Sequence, residues 1–393
     1  MTDGALSRRF YATAFGVGAA FASMGVAVPL QVTALGGRPS LAGAVLAAGT
    51  VSIALGALLA GAISPRIGGG PRTLALALSV CGTGSLVFCA TTSVAGIAAG
   101  AVLVGAGIGL FWVSSQLVLG RRSGTRGSES AFAVHFAAYT LGAVAGSSLT
   151  GGIAAVSDAA GLAAVTGIRL SSLAGLAVTS VSLALWWQCA ARAEPARAQA
   201  PLRFAPSRHL GVQLPDLLLV SALGFLLPLT PTVLAHGYHL GPFVIGLVMS
   251  GVSVAKIAGT FTARALARSG GARRGIVFLL AGGGVVCVLL CLALDAPSFV
   301  AALLLTALLV AGAWPLVVDS AQARVPPESR HDLTVVWNAR EYGVIAVTTF
   351  LAGWLLSALG RPEPLFALAA LLIAAAAACA AVTLRRPVWQ PAA

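Results

Sequence analysis

Charge is what this chain has least of. Asp, Glu, Lys and Arg together make up 9% of 393 residues, while hydrophobic residues make up 58% and mean hydropathy is +0.95. A soluble chain carries roughly a quarter charged residues, and no water-soluble fold covers itself with so few. Acidic groups are scarcest, 11 against 24 cations, and lysine occurs once, as Lys256. No long polar block interrupts the apolar runs between Phe10 and Leu384, so a sizeable soluble domain is excluded. The chain has no GxxxxGK[ST] loop for nucleotide phosphates. It also lacks the alternation over about ten residues that a membrane β-strand needs.

Clustered reactive groups are missing too. The six cysteines all lie in or at the end of apolar runs, where a small, weakly polar side chain packs easily. Cys287 and Cys291 are one helical turn apart, yet no His or carboxylate stands near enough in sequence to complete a metal site. The five histidines are dispersed, His236 and His239 being the closest pair. The expectation is therefore no metal, no cofactor and no enzymatic centre.

What is there is a series of apolar runs of about 20 residues, the length that crosses a bilayer as a helix. Twelve are expected, over 10–35, 40–63, 73–92, 95–119, 131–156, 163–189, 213–235, 242–263, 275–294, 298–320, 333–359 and 364–384. The first follows Arg8 and Arg9 as a signal peptide would, but it is too long for a cleaved segment and reads as a retained span. A net charge of +13 invites a nucleic-acid partner, and its placement argues against one. With the N-terminus inside, connecting segments on that side hold 19 cations and those on the other side only 2, which is the positive-inside pattern. The expectation is a multi-pass protein of a bacterial inner membrane, with both termini cytoplasmic and the lipid bilayer as its surroundings.

Residues 190–212, rich in Pro, Ala and Arg, form the longest polar stretch and read as a linker between six spans and six. Signals recur across it at a constant offset. GVAVPLQVTALG from Gly25 matches GFLLPLTPTVLA from Gly224 at an offset of 199, and RIGGGPR from Arg66 matches RSGGARR from Arg268 at 202. Trp112 and Trp314 also differ by 202. Six spans return the chain to its starting side, so the repeats are parallel. The expected units are 1–189, the linker 190–212, and 213–393.

These features resemble the major facilitator superfamily over nearly the whole chain. The loop after span 2 keeps Gly61, Arg66 and Gly68 of the family pattern GxLaDRxGRR, with Arg268 and Gly270 in the second loop, while Pro65 and Ala267 stand where the acidic residue belongs. Ala101 occupies the position of the exporter arginine in span 4, and Gly142, Gly146, Gly151 and Gly152 approach the exporter motif GxxxGPxxGG in span 5. Small residues at that spacing also let helices approach closely, which is an equal explanation. The resemblance implies an all-α membrane protein of two parallel six-helix repeats that carries a small molecule by alternating access. It favours proton-coupled export of a small amphipathic compound or secondary metabolite, with nutrient uptake as the alternative reading and a monomer as the working unit.

An ionisable group inside a span costs about 2.5–3.5 kcal/mol on insertion scales, so each needs a partner, water or a task. The second half holds Asp216, Lys256, Asp319, Arg340 and Glu341, the candidates for proton coupling. A static ion pair between Lys256 and Glu341 or Asp319 is the competing reading. Arg340 and Glu341 point about 100° apart on one helix, so each is expected to find its partner elsewhere. In the family's arrangement spans 1, 4, 7 and 10 line the cavity, which nominates Gln31, Phe111, Trp112, Gln116, Trp314 and Asp319 as lining residues. His135 and Tyr139, one turn apart in span 5, join them, and Arg169 is expected to reach outward to the interface.

Overall fold

The computed structural model describes residues 8–64, 66–67, 70–122, 128–191, 210–293, 295–325 and 330–385. Among them the chain is helical, with no strand. The helices are α1 (Arg8–Ala34), α2 (Pro39–Ile63), α3 (Gly70–Ala90), α4 (Val94–Arg122), α5 (Ser128–Ala159), α6 (Ala164–Ala191) and α7 (Leu210–Leu226). Then follow α8 (Thr230–His236), α9 (Pro242–Gly270), α10 (Ala272–Cys291), α11 (Ala296–Thr306), a π-helical turn (Ala307–Ala311), α12 (Trp314–Gln322), α13 (Arg330–Leu359) and α14 (Glu363–Thr383). They supply 12 segments long and apolar enough to cross a membrane, because α7–α8 and α11–α12 each form one interrupted span. Most of the expected linker and Gly68 fall outside the described residues.

The outer surface shows why the chain needs lipid. Val156, Phe278 and Leu371 are 71%, 68% and 68% exposed, so the bundle is apolar outside as well as inside, a surface that water does not tolerate on this scale.

Each half packs by the same scheme. In the first, α1 lies against α5 and α6, α3 against α4 and α6, and α2 against α4. In the second, α7 lies against α13 and α14, α10 against α14 and α11, and α9 against the π turn. The halves meet where α2 packs on α13 and α5 on α9. By chain parity, one face of the bundle carries the start of α1 and the end of α14; it is called here the near face, and the opposite one the far face.

Proline breaks both interrupted spans. Pro228 has no N–H to continue the ladder, and Thr230 Oγ1 instead donates to the carbonyl of Leu226 at 2.5 Å before α8 resumes. Pro315 does the same to the tenth span, where the N–H of Gly312 reaches back five residues to the carbonyl of Ala307 at 3.0 Å. That wide turn places Trp314 at the start of α12.

Glycine sets the closest helix contacts. Gly142 and Gly146 press α5 on the carbonyls of Phe15 and Ala19 in α1, where a Cβ would collide with backbone. Gly151 lies against Gly246 of α9, and Gly43 of α2 against Gly353 of α13; an added Cβ at either Gly43 or Gly151 would come to 2.8 Å of the opposing chain. The glycine pattern of span 5 is thus a packing device, two residues within the half and one across the halves.

The connection after α9 turns on Gly271, at φ +84°, whereas Gly270 still belongs to the helix and has open space around it. Arg66 and Arg268 are exposed on the near face, and Gly61 is buried at the end of α2.

Candidate functional site

A cavity of about 240 Å³ lies between the halves. Its first-half wall is aromatic, with Phe21, Trp112, Phe136 and Tyr139, supported by Thr50, Thr140 and Ser147. The second-half wall holds Lys256 from α9, Trp314 from α12, and Glu341 and Tyr342 from α13, with Pro228 at the helix break. Both ionisable lining groups therefore come from one half.

Several hydroxyls at the wall already donate within their own helices. Thr50 donates to the carbonyl of Leu46 at 2.9 Å, Thr140 to that of Phe136 at 2.8 Å, and Ser253 to that of Met249 at 3.2 Å. Serine and threonine on a helix find this acceptor one turn back, which occupies the donor and leaves the oxygen lone pairs to accept from a solute. Lys256 and Glu341 are not joined to each other: with ion pairs defined by an N···O separation of 4.0 Å, none links the two. The static pair considered from the sequence is not formed between them.

The cavity closes at both ends by contacts between halves. On the far face, the backbone N–H of Ser40 donates to Ser357 Oγ at 2.7 Å, Ser148 and Ser250 hydroxyls meet at 2.7 Å, and His236 Nε2 lies 3.4 Å from Thr33 Oγ1. Toward the near face, Trp314 packs edge-on to Trp112 at 6.3 Å between centroids and against Phe136 at 5.5 Å. Beyond these rings, Asn338 Nδ2 donates to Gln116 Oε1 at 3.3 Å. Gln116 is thus a closing contact and not a lining residue.

Behind Glu341 lies a second polar cluster. Gln213 of α7 accepts from Arg340 Nη1 at 2.7 Å and donates to the carbonyl of Trp337 at 3.2 Å, so Arg340 finds its partner on another helix as its direction on α13 requires. Asp216, one turn further along α7, is fully buried, and neither of its oxygens reaches a hydrogen-bond partner. Its neighbours are the indoles of Trp314 and Trp337 and the carboxyl of Glu341, close enough for Asp216 and Glu341 to feel each other's charge. Asp319 is exposed at the near end of α12, away from the cavity.

His135, Phe111 and Gln31 lie outside the lining. The His135 ring is sandwiched between Phe10 at 5.0 Å and Phe111 at 5.4 Å, fully buried, and its two nitrogens are unpartnered. Gln31 is buried in α1 with its amide unpartnered. Arg169, half-buried near the far end of α6, donates from Nε and Nη2 to the carbonyl of Cys89 at 3.1 and 2.9 Å, closing the end of α3. Phe136 and Tyr342 line the cavity although sequence reasoning passed over both. Phe136 sits three residues before Tyr139, on one helical face, so a period-based signal was present.

Among known proteins, the Major Facilitator Superfamily profile matches residues 217–392. Solved structures match over the whole bundle. A POT family transporter in complex with a thioalcohol-conjugated peptide has TM-score 0.76 and 11% identity, covering 94% of each chain. The transporter FucP in its outward conformation has TM-score 0.69 and 14% identity, covering 95% of this chain and 97% of its own. The nucleoside transporter NupG has TM-score 0.70 and 11% identity, covering 95% and 98%. At such identities the likeness is one of fold, and no curated protein sequence matches this chain. Twelve candidate spans in two similarly packed halves around a central cavity give this chain the fold of these solved transporters, and its second half matches the Major Facilitator Superfamily profile.

Proposed function

We propose that the chain is a proton-coupled exporter of a small amphipathic compound, working by alternating access in a bacterial inner membrane, with the near face cytoplasmic. The observation that carries this reading is Glu341, a buried carboxyl on the cavity wall without a cation paired to it. Such a group can hold a proton while the cavity faces one side and release it while it faces the other. Asp216 and Trp314 beside it give the carboxyl polar neighbours without a fixed counter-ion. The aromatic first-half wall suits an apolar body, which favours an amphipathic solute.

Uptake of a polar nutrient has one observation in its favour. The charges expected of an importer are scarce in spans 1, 4, 7 and 10, yet α9 and α13 bring Lys256 and Glu341 into the same cavity. The test is flux in inverted vesicles with an imposed pH gradient, against a panel of candidate solutes. Glu341→Gln is expected to abolish gradient-driven accumulation and leave downhill counterflow within about twofold of wild type, the pattern of a lost coupling step with binding retained. Unchanged coupling rejects Glu341 as the proton carrier, and gradient-driven movement in the opposite sense rejects export.

A further inference from the structure

We infer that the cavity is built for a zwitterion with an apolar ring: a solute whose carboxylate faces Lys256, whose ammonium faces Glu341, and whose ring lies on the Trp112–Phe136–Tyr139 wall. The inference deepens the transport reading and rests on it for the cavity being the solute's site.

Three features of the wall lead to it. Lys256 and Glu341 enter one cavity of about 240 Å³ from different helices and make no ion pair with each other, so each presents to the same space an ionisable group for which the other supplies no counter-ion. A charge in a low-dielectric site is costly until a counter-charge arrives, and two opposite charges ask for two opposite groups on the solute. The Thr50, Thr140 and Ser253 hydroxyls donate to their own helices, so among the lining groups Lys256 and Glu341 are the two able to meet a solute's charged ends, with Ser147 and the phenols of Tyr139 and Tyr342 beside them. Finally, Lys256 and Glu341 both belong to the second half, whereas the first half contributes four aromatic rings and no Lys, Arg, Asp or Glu, so the first-half wall is the one suited to the ring alone.

A cation alone would satisfy Glu341 and repel Lys256, and an anion alone the reverse. The zwitterion leaves the loaded cavity neutral. It also makes the solute ammonium and the proton competitors for one carboxylate, which links binding to the coupling step.

Equilibrium binding by isothermal titration calorimetry on the detergent-purified full chain tests this with three probes that share a phenyl ring: L-phenylalanine, phenethylamine and 3-phenylpropionate. L-phenylalanine is expected to bind at least about tenfold tighter than either partner, the effect of one added charge-assisted hydrogen bond. Lys256→Gln should bring its affinity down to that of phenethylamine, and Glu341→Gln down to that of 3-phenylpropionate. Equal binding of the amine or the acid by wild type, or absence of L-phenylalanine binding, overturns the inference. The wild-type series stands without any variant, so misfolding cannot mask the result. No gradient or direction enters the measurement, so its failure leaves proton-coupled export standing, and failure of coupling in vesicles leaves the binding result standing.

Discussion

The two halves share an architecture and differ in what they show the cavity. At the offset of 202 residues that relates Trp112 to Trp314, Tyr139 corresponds to Glu341 and Ala54 to Lys256. Trp112, Trp314, Tyr139 and Glu341 all line the cavity, so the correspondence holds in space for both pairs. Yet the first half offers rings where the second offers charge. The second half also has its seventh and tenth spans broken, by Pro228 and Pro315, while Pro29 leaves α1 continuous. Two similarly packed halves thus give the cavity walls of different content, the first of rings and hydroxyls, the second of rings together with Lys256 and Glu341.

The most severe way to break that comparison is to move the carboxyl. With Tyr139→Glu added to Glu341→Gln, gradient-driven flux is expected to stay at background, because the Asp216 and Trp314 neighbours of Glu341 belong to the second half. Restored flux would mean that the halves are interchangeable as proton carriers. A second loss, by more than about tenfold in flux, is expected for Gly353→Leu: its Cα sits against Gly43, and a Cβ alone would approach that backbone to 2.9 Å, so the far-face seal cannot form. Normal flux in this variant would show that the α2–α13 contact is dispensable.

Smaller effects sharpen the contrast. Trp314→Ala removes ring contacts across the halves with Trp112 and Phe136, each worth about 0.5–1.5 kcal/mol beyond area burial, and should speed leak through the near face about two- to tenfold, measured as solute efflux without a gradient. Phe111→Leu, confined to the first-half stack, should leave leak unchanged. The smallest effect is structural. Asp295 caps α11, accepting the N–H of Ser298 at 2.8 Å, and this hydrogen bonding holds its carboxyl below the ordinary value of 3.8. Asp295→Ala should lower the melting temperature slightly above pH 4, and the difference should vanish as pH falls through the lowered value, because a group with a depressed folded pKa loses its contribution on protonation.

Much of the fold was legible because lipid imposes long apolar runs and the duplication left signals at fixed offsets. Helix existence needed only hydropathy, whereas the interruptions at Pro228 and Pro315 did not follow from the missing N–H alone, since Pro29 lacks it too and α1 runs through it. The site was legible in part. Glu341 and Lys256 followed from embedded charge, Trp112 and Trp314 from the expected lining spans, and Tyr139 from its one-turn pairing with His135 in span 5, and these five do share the cavity. His135 did not, because a spacing of i, i+4 cannot say which of two neighbours faces inward when aromatic rings of α1 and α4 are free to enclose one of them. The Arg340–Gln213 and Gln116–Asn338 contacts join helices more than a hundred residues apart, and no local period encodes such pairs. Gln213 and Asp216 lie on one face of α7, a sign of a polar patch, but the depth of Asp216 becomes apparent only once α12 and α13 pack over it.

The most direct test of a cavity that opens alternately between these halves is a pair of distances measured by spin labels in proteoliposomes at two pH values. One pair of labels spans the far ends of α2 and α13, at Leu41 and Leu359, and the other spans the near ends of α4 and α12, at Val118 and Asp319. The account predicts that lowering pH changes the two distances in opposite senses in wild type, and that Glu341→Gln holds both at one value across the same range. Distances that change in the same sense, or a Glu341→Gln protein that still responds to pH as wild type does, would contradict it.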